Sequence, residues 1–393
     1  MEWKAAWSYL PINYNSTIGT IENITQRTRF TNNLNGSKIK IKFSNLCSKE
    51  PLILEKVIIG KTTDHEEIMD MKQITYQGSK QVAIGPGEEF YSDELEWKIG
   101  MEEDIVLSIY VKDKCEIQSS CSTWASRSWH TVYGMDGNYT EQQKFVETES
   151  VEVYPFLQID THRADVIIGI DEIQVFTDEK VKTVALFGDS ITHMSYYSDA
   201  LIEKLNITYP GKVTVINRGI GGNRLLYDAT YIAEMPGQGS IFGKTGTHRF
   251  LQDVYGSTTP EVVIVLIGIN DCVHPYAFRY HDEIVSSEQL IKGYMELIRI
   301  AHEKGSKIMM GTIMPYRNDS QEWFLEAEET RCQCNEWIRN QVLADGIVDF
   351  DEIIRDTVNP VYMQKDSHLG DGVHPNTAGG IKMAEAIPME WFK

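Results

Sequence analysis

The stretch VALFGDSITH, residues Val184 to His193, decides the fold of the second half of the chain. Four apolar residues that are typical of a buried strand run into Gly188, Asp189 and Ser190. Glycine and aspartate favour turns, and serine or threonine caps helices, so a turn and then a helix are predicted after the strand. A serine at this place is either a helix cap or a nucleophile raised at the edge of a sheet.

The sequence after Lys182 predicts an α/β domain. Apolar strands alternate with helical stretches, and the predicted strands are Thr183–Phe187, Val213–Ile216, Val262–Ile267, Lys307–Thr312 and Ile347–Phe350. Residues 287–304 have apolar side chains at helical spacing before Gly305, and residues 326–343 form a second helix candidate. This alternation predicts a parallel sheet with helices on both faces, whose ligands bind beyond the carboxyl ends of the strands.

The first half of the chain predicts an all-β domain. In residues 38–43, Ile39, Ile41 and Phe43 alternate with three lysines, which is the period of a strand with one buried face. Further strands are predicted at Leu52–Ile59, Ile105–Val111 and Ile167–Phe176, with turn residues between them. The pattern favours an antiparallel sandwich. The charged connector at residues 178–180 sets the expected domains at 1–178 and 179–393.

Composition bounds the partners of the chain. Its 393 residues favour two domains, and its formal net charge of −20 disfavours nucleic acid and anionic membrane surfaces. The longest apolar run, Val262 to Ile269, is too short to span a bilayer. The opening residues lack the apolar core of a signal peptide, so a cytoplasmic location is expected, with secretion left open. No oligomeric state is indicated.

No cofactor is expected, and the six cysteines do not indicate a metal site. They are spread along the chain, and no zinc-type pair of Cys-x-x-Cys motifs is present. Free thiols in a reducing compartment are favoured, with a bridge between Cys115 and Cys121 as the alternative.

Three further polar stretches follow predicted strands: residues 217–223 (NRGIGGN), 268–271 (GIND) and 371–376 (DGVHPN). Together with Gly188-Asp189-Ser190, in this order and at these intervals, they resemble the SGNH (GDSL) hydrolase family over about residues 182–393. The resemblance implies a flavodoxin-like three-layer α/β/α domain with a parallel sheet, and hydrolysis of esters. Each motif alone is weakly specific, and the set of four is strongly specific.

The resemblance implies a role for five residues. Ser190 matches the nucleophile, and Asp371 and His374 match the other members of a catalytic triad. The backbone N–H of Ser190, the backbone N–H of Gly222 and the side-chain amide of Asn270 match the donors of the oxyanion hole. The chemistry requires these residue types, because a serine hydroxyl needs a base within hydrogen-bond reach and the tetrahedral intermediate needs donors for its charged oxygen. No residue is assigned to substrate binding.

One departure from the family pattern lies directly after GDSIT, where many relatives have an acidic residue and glycine and this chain has His193 and Met194. The departure bears on the pocket wall, and His193, His274 and His368 are all interpreted as structural or as lining the rim. Through residues 36–45 and 84–87, the first half resembles the β-sandwich that precedes the hydrolase domain in some two-domain bacterial members. The resemblance implies a jelly-roll-like sandwich.

An aromatic run in the first half contains Trp124, Trp129 and Tyr133. Core packing is favoured for these side chains, and a sugar-stacking platform or a lid is the alternative.

The leading hypothesis is a serine esterase that removes short acyl groups, acetyl above all, from a carbohydrate or oligosaccharide ester. Within the same class, a lipase or acyl thioesterase is the alternative. A non-catalytic carbohydrate-binding protein is the alternative from another class. A metal-dependent phosphoesterase that uses Asp189, Asp371 and His374 is a third option, although such sites normally gather more carboxylates or histidines. The acyl donor and the regiochemistry are left open.

Overall fold

A computed structural model of the chain describes residues 1–134, 136–144, 158–159, 162–319 and 322–393. The chain divides into two compact units. The first consists of Met1–Val181 and Asn206–Thr214, and the second of Lys182–Leu205 and Val215–Lys393. Within the described residues, no helix is both long enough and apolar enough to cross a bilayer.

The first unit is built from strands. They are β1 (Glu2–Ser8), β2 (Ile12–Asn13), β3 (Gly19–Ile21), β4 (Ile24–Phe30), β5 (Gly36–Ser44), β6 (Leu52–Leu54), β7 (Lys56–Thr62), β8 (Met69–Gln73), β9 (Val82–Ile84), β10 (Glu89–Tyr91), β11 (Leu95–Ile99), β12 (Asp104–Val111), β13 (Cys115–Ile117), β14 (Ser119–Thr123), β15 (Trp129–Gly134), β16 (Gln158–Ile159), β17 (His162–Arg163), β18 (Asp165–Ile167) and β19 (Ile170–Thr177).

Two five-stranded antiparallel sheets form the body of this unit. One has the order β1-β19-β5-β10, with β11 also paired to β5, and the other has the order β15-β4-β12-β7-β8. The sheets meet through aromatic side chains, because the ring of Trp7 in β1 lies 4.9 Å from Phe30 in β4 and 5.7 Å from Trp129 in β15. The predicted antiparallel, strand-rich first half is confirmed.

The alternation in β5 is reproduced in the burial of its side chains. Ile39, Ile41 and Phe43 are fully buried. The lysines on the other face are not simply solvated, because Lys40 lies over two aromatic rings and Lys42 pairs with Glu89 and Asp171.

The aromatic run of the first unit divides between core and partly exposed positions. Trp129 is fully buried and its ring also contacts Tyr9 at 5.5 Å, so it is a core residue. Tyr133 is half-buried and donates its hydroxyl to the Val166 carbonyl at 2.6 Å. Trp124 is also half-buried.

The second unit alternates strands with helices. Its elements are β20 (Lys182–Gly188), α1 (Ser190–His193), α2 (Tyr196–Thr208), β21 (Val213–Gly219), α3 (Gly246–Tyr255), β22 (Val262–Leu266), α4 (Ile269–Ala277), α5 (Ser287–Glu303), β23 (Lys307–Gly311), α6 (Leu325–Asn340), β24 (Gly346–Val348), α7 (Phe350–Ile354) and α8 (Thr377–Ala386). Short 3-10 helices lie at Pro236–Phe242, His281–Glu283 and Met389–Phe392. The end of α2 and the start of β21 belong to the first unit.

The strands of this unit form one five-stranded sheet with the order β21-β20-β22-β23-β24. The pairs β20–β22, β22–β23 and β23–β24 are parallel. Numbered along the unit, the order is 2-1-3-4-5, which is that of the flavodoxin-like fold. The predicted fold class is therefore confirmed, and the carboxyl ends of β20, β21 and β22 lie side by side.

Two predicted strands are interrupted in the structure, and a third ends earlier because a helix begins there. The strand predicted over 52–59 is broken at Glu55, and the strand predicted over 167–176 is broken at Gly169, whose φ is +81°. Phe350 begins α7 instead of ending a strand, because the Asp349 carboxylate caps that helix by accepting from the Glu352 N–H. None of the six cysteines, including Cys115 and Cys121, forms a disulfide with another.

Candidate active site

Ser190 lies directly beyond the carboxyl end of β20. The strand ends at Gly188, and Ser190 is the first residue of the one-turn helix α1. Asp189 caps α1, since its Oδ1 accepts from the Ile191 N–H at 3.0 Å. The Asp189 side chain is buried, and burial raises its pKa to about 7. The aspartate therefore shapes the turn that presents the serine.

Ser190, His374 and Asp371 form one hydrogen-bonded line. Nε2 of His374 lies 2.8 Å from Oγ of Ser190, and Nδ1 lies 2.5 Å from Oδ2 of Asp371. Burial acts to raise the pKa of Asp371, but hydrogen bonds from the His374 ring and from the N–H groups of His374 and Val373 outweigh it and lower the pKa to about 2. Because an ionised carboxylate only accepts, Nδ1 carries the ring proton and Nε2 accepts from the serine hydroxyl.

The loop that carries Asp371 and His374 is held by its own hydrogen bonds. Nδ1 of His368 accepts from the N–H groups of Gly370 at 3.0 Å and Gly372 at 3.2 Å. The Asn318 amide donates to the Asp371 carbonyl at 2.7 Å. His368 therefore has a structural role in placing the acid, as the sequence suggested for it.

The turn after β21 brings Gly221 next to Ser190 and places Gly222 against Phe242. A Cβ added at Gly221 would lie 4.0 Å from Cβ of Ser190, which is contact distance. Gly222 has a φ of +70°, and a Cβ there would lie 2.0 Å from a ring carbon of Phe242. The Gly221 N–H donates to Nδ1 of His193 at 3.1 Å. Position 222 therefore requires glycine both for its positive φ and for the lack of space beside it. His193 holds the turn through its hydrogen bond with Gly221.

Asn270 lies in the first turn of α4, directly after the loop that follows β22. Its amide donates to the backbone carbonyl of Asn223 at 3.0 Å, which links α4 to the glycine turn. The neighbouring Asp271 carboxylate accepts from the N–H groups of Leu225 at 2.6 Å and Leu226 at 2.9 Å. Burial raises the pKa of Asp271 to about 6. These bonds orient the Asn270 side chain relative to the glycine turn.

Two histidines near the motifs do not bond to the serine. His193 is buried and engaged with Gly221, as described above. His274 lies 2.8 Å from the Thr230 hydroxyl through Nδ1, and burial lowers its pKa to about 3, so its ring is neutral. Within the part of the chain that the structure describes, no three His, Cys, Asp or Glu side chains are grouped as a metal site.

Three residues that surround the glycine turn have no role in the predictions made from the sequence. Asn223 closes the second motif and is fully buried, Arg249 lies on α3 and reaches the same turn, and Phe242 packs against Gly222. Arg249 and Phe242 lie outside every motif, so only the folded chain identifies them.

The arrangement can support one kind of chemistry directly. A serine hydroxyl whose proton is shared with an imidazole becomes a competent nucleophile. The carboxylate beyond the ring holds the tautomer that leaves Nε2 free to accept. The Asn270 amide has two N–H donors, one of which is engaged by the Asn223 carbonyl, so the other is available to a substrate oxygen.

Comparisons with known proteins identify the family of the second unit. Residues 186–380 match the model of the GDSL-like lipase/acylhydrolase family. No curated protein sequence matches the chain significantly.

Two solved structures are each similar to about half of the chain. One is a variant of Axe2, an acetyl xylan esterase from Geobacillus stearothermophilus, with 19% identity and a TM-score of 0.40 over 54% of this chain and 95% of that one. The other is LAE5, an α/β hydrolase from the metagenome of Lake Arreo, Spain, with 19% identity and a TM-score of 0.39 over 53% of this chain and 94% of that one. On the family match, residues 186–380 are a GDSL-like lipase/acylhydrolase domain, and the chain is a carboxylic-ester hydrolase.

Proposed function

We propose that the chain is a serine esterase that hydrolyses short acyl esters, acetyl esters above all, through an acyl-enzyme on Ser190. The observation that carries the proposal is the 2.8 Å contact between Oγ of Ser190 and Nε2 of His374, with Asp371 on the other side of the ring. The proposal is also supported by the match of residues 186–380 to the GDSL-like lipase/acylhydrolase family.

In the first step, Oγ of Ser190 attacks the ester carbonyl carbon while its proton passes to Nε2 of His374. The carbonyl electron pair moves onto oxygen and creates a tetrahedral oxyanion. The imidazolium is stabilised by Asp371, whose pKa of about 2 keeps the carboxylate ionised at the pH of the reaction.

Three donors then stabilise the oxyanion: the backbone N–H groups of Ser190 and Gly222, and the free N–H of the Asn270 amide. The Asn270 amide is held in place by the Asn223 carbonyl and needs no reorganisation when charge develops. Removing one such donor typically costs about 10²–10³ in kcat.

The intermediate collapses when the bond to the alcohol oxygen breaks and Nε2 of His374 returns its proton to that oxygen. The acyl group stays on Ser190. A water molecule then repeats the sequence, with His374 as base and Ser190 as leaving group, and releases the carboxylic acid. The free enzyme is regenerated with its protons in place.

The short acyl group is the finer part of the proposal. The ring of Phe242 packs directly against Gly222, the residue whose N–H is a proposed oxyanion donor. The segments on this side of the site, residues 218–224 and 237–249, are rich in glycine and polar residues. Such loops suit hydrogen bonding to a polyol better than the seating of a long apolar chain.

A panel of p-nitrophenyl esters from acetate to octanoate, together with acetylated oligosaccharides, tests the proposal. We expect kcat/KM to be highest for acetate and poor for octanoate, and Ser190→Ala to hydrolyse none of them. An apolar groove would instead raise kcat/KM with chain length, because each seated methylene contributes up to about 0.8 kcal/mol. A steady rise from acetate to octanoate would replace the proposal with the lipase or thioesterase alternative.

Two controls separate the remaining alternatives. A non-catalytic carbohydrate-binding protein would bind the oligosaccharides and turn over no ester in the panel. A metal-dependent phosphoesterase would lose activity with a chelator and hydrolyse p-nitrophenyl phosphate. We expect ester hydrolysis that is insensitive to the chelator and no hydrolysis of the phosphate.

A further inference from the structure

A buried arginine connects two of the turns that carry the proposed oxyanion donors. Arg249, on α3, is 5% exposed. Its guanidinium donates to the Gly188 carbonyl at 2.7 Å, to the Arg218 carbonyl at 3.0 Å and to Oδ1 of Asn223 at 2.8 Å. A fourth contact, at 2.8 Å, is an ion pair with Asp253. One planar group thus bonds the ends of β20 and β21 and the glycine turn.

Asn223 links Arg249 to the proposed oxyanion donors. Its side chain is fully buried; while Oδ1 accepts from Arg249, Nδ2 donates to the carbonyls of Phe242 at 2.7 Å and Lys244 at 2.8 Å. Its backbone carbonyl accepts from the Asn270 amide at 3.0 Å. Asn223 also directly follows Gly222. The position of this one residue therefore determines where two proposed oxyanion donors lie.

A buried charge needs a physical reason, because desolvating a guanidinium is costly unless its donors are all satisfied in good geometry. Here the donors meet three oxygen acceptors besides one carboxylate, and the ring of Phe187 lies 4.1 Å from the guanidinium carbon. Such a fork is rigid, because it is planar and bonds in several directions at once. A lysine has one charged centre and cannot reproduce the fork.

We propose that Arg249 is a positioning residue for the reaction, acting through Asn223 and the Gly188 carbonyl on the oxyanion donors of Gly222, Asn270 and Ser190. The inference rests on the proposed esterase function. Displacing oriented groups by about 1 Å can cost roughly 10²-fold in rate, although no contact with the substrate is lost.

The test is Arg249→Lys, which keeps the charge and loses the fork. We expect kcat for p-nitrophenyl acetate to fall by about 10- to 100-fold with little change in KM, because the donors act on charge that exists only in the transition state. The matched control is Arg331→Lys. Arg331 is also buried and bonds to the Ile313 carbonyl, Glu328 and Asp351, none of which belongs to the site. We expect the control to lose stability and to keep its kcat.

A double-mutant cycle distinguishes positioning from general damage. If Arg249 acts through the oxyanion donors, then adding Arg249→Lys to Asn270→Ala should cost markedly less than it costs in the wild type, since the two substitutions remove parts of one effect. Equal losses in both backgrounds, or a rise in KM alone, would overturn the inference.

A second variant, Asn223→Ala, tests the inference if Arg249→Lys does not fold. Asn223→Ala removes the acceptor for Arg249 while the guanidinium keeps Asp253 and two carbonyls. We expect the same fall in kcat with KM little changed, and an unchanged kcat would contradict the inference. Wild-type turnover is measured first: a wild type without esterase activity contradicts the proposed function, whereas an active wild type with active variants contradicts the role of Arg249 alone.

Discussion

Nε2 of His374 lies 2.8 Å from Oγ of Ser190, although 184 positions separate the two residues in the chain. The serine stands at the end of the first strand of its sheet, and the histidine stands in the loop before the last helix. The parallel order of the sheet brings such distant segments to one edge, because every strand presents its carboxyl end on the same side.

The His374–Asp371 pair predicts the pH dependence of activity. A protonated imidazole has no acceptor at Nε2, so kcat/KM should fall as the pH is lowered. Asp371 remains ionised across this range because its pKa is lowered to about 2, so protonation of Asp371 does not account for the fall. Rates for p-nitrophenyl acetate across pH 4 to 9 measure this, and a flat profile between about pH 5 and 8 would count against histidine as the base.

The same pair predicts non-additive losses. We expect His374→Ala to be nearly as damaging as Ser190→Ala, and the double variant to be little worse than either, because the members of such a unit act together. Kinetic constants for the three variants, with folding checked by circular dichroism, provide the measurement. Losses that multiply would show that the two side chains act independently.

We expect substitutions of Asn270 to change kcat and to leave KM nearly unchanged. Asn270→Ala should lower kcat by about 10²-fold or more with KM little changed, because the amide meets charge that forms only in the transition state. Asn270→Asp should be worse, since a carboxylate would repel both the oxyanion and the Asn223 carbonyl. If both variants mainly raise KM, the amide binds the substrate and is not an oxyanion donor.

Gly222 predicts a local steric effect on activity. The methyl group of Gly222→Ala would collide with a ring carbon of Phe242, and the alanine would have to adopt a φ of +70°. The turn must therefore move, and activity should be lost. The matched control is Gly305→Ala, which has a φ of +80° and no neighbour within 4 Å of the added Cβ. Both variants should lose about 1–2 kcal/mol of stability to the left-handed backbone.

Only Gly222→Ala should lose turnover in that comparison. Adding Phe242→Ala relieves the collision and should restore part of the activity while the backbone strain remains. An active Gly222→Ala enzyme, or equal loss of turnover in the Gly305 control, would contradict the account of the turn.

Asp189 predicts a pH dependence of stability. Burial raises its pKa from 3.8 to about 7, so the folded chain holds this proton at a pH where the unfolded chain has released it. Stability from this group is therefore greatest below its unfolded pKa and is lost as the pH rises to about 7. Asp189→Asn keeps an acceptor for the Ile191 N–H and has no charge to bury. Urea unfolding at about pH 4 and about pH 8 should show the variant gaining on the wild type at the higher pH, and a constant difference would contradict this.

The places of the five strands of the second unit and of its helices at residues 287–304 and 326–343 follow from the sequence, because apolar runs and capping residues are local signals. Phe350 is an instructive failure, since its apolar run continues a strand pattern while Asp349 caps a helix. The interactions of Arg249 and Phe242 could not be predicted at all. The guanidinium of Arg249 reaches its partners only in the folded chain, and Phe242 ends a turn in which Gly237, Gln238 and Gly239 all have positive φ, so no periodicity marks it.

The proposed mechanism requires that Ser190 be acylated during turnover. Incubation with a fluorophosphonate, followed by digestion and mass spectrometry, tests this most directly. We expect one adduct per chain on the peptide that contains Ser190, parallel loss of p-nitrophenyl acetate hydrolysis, and no adduct on Ser190→Ala. An adduct on another serine, or full esterase activity in Ser190→Ala, would contradict it.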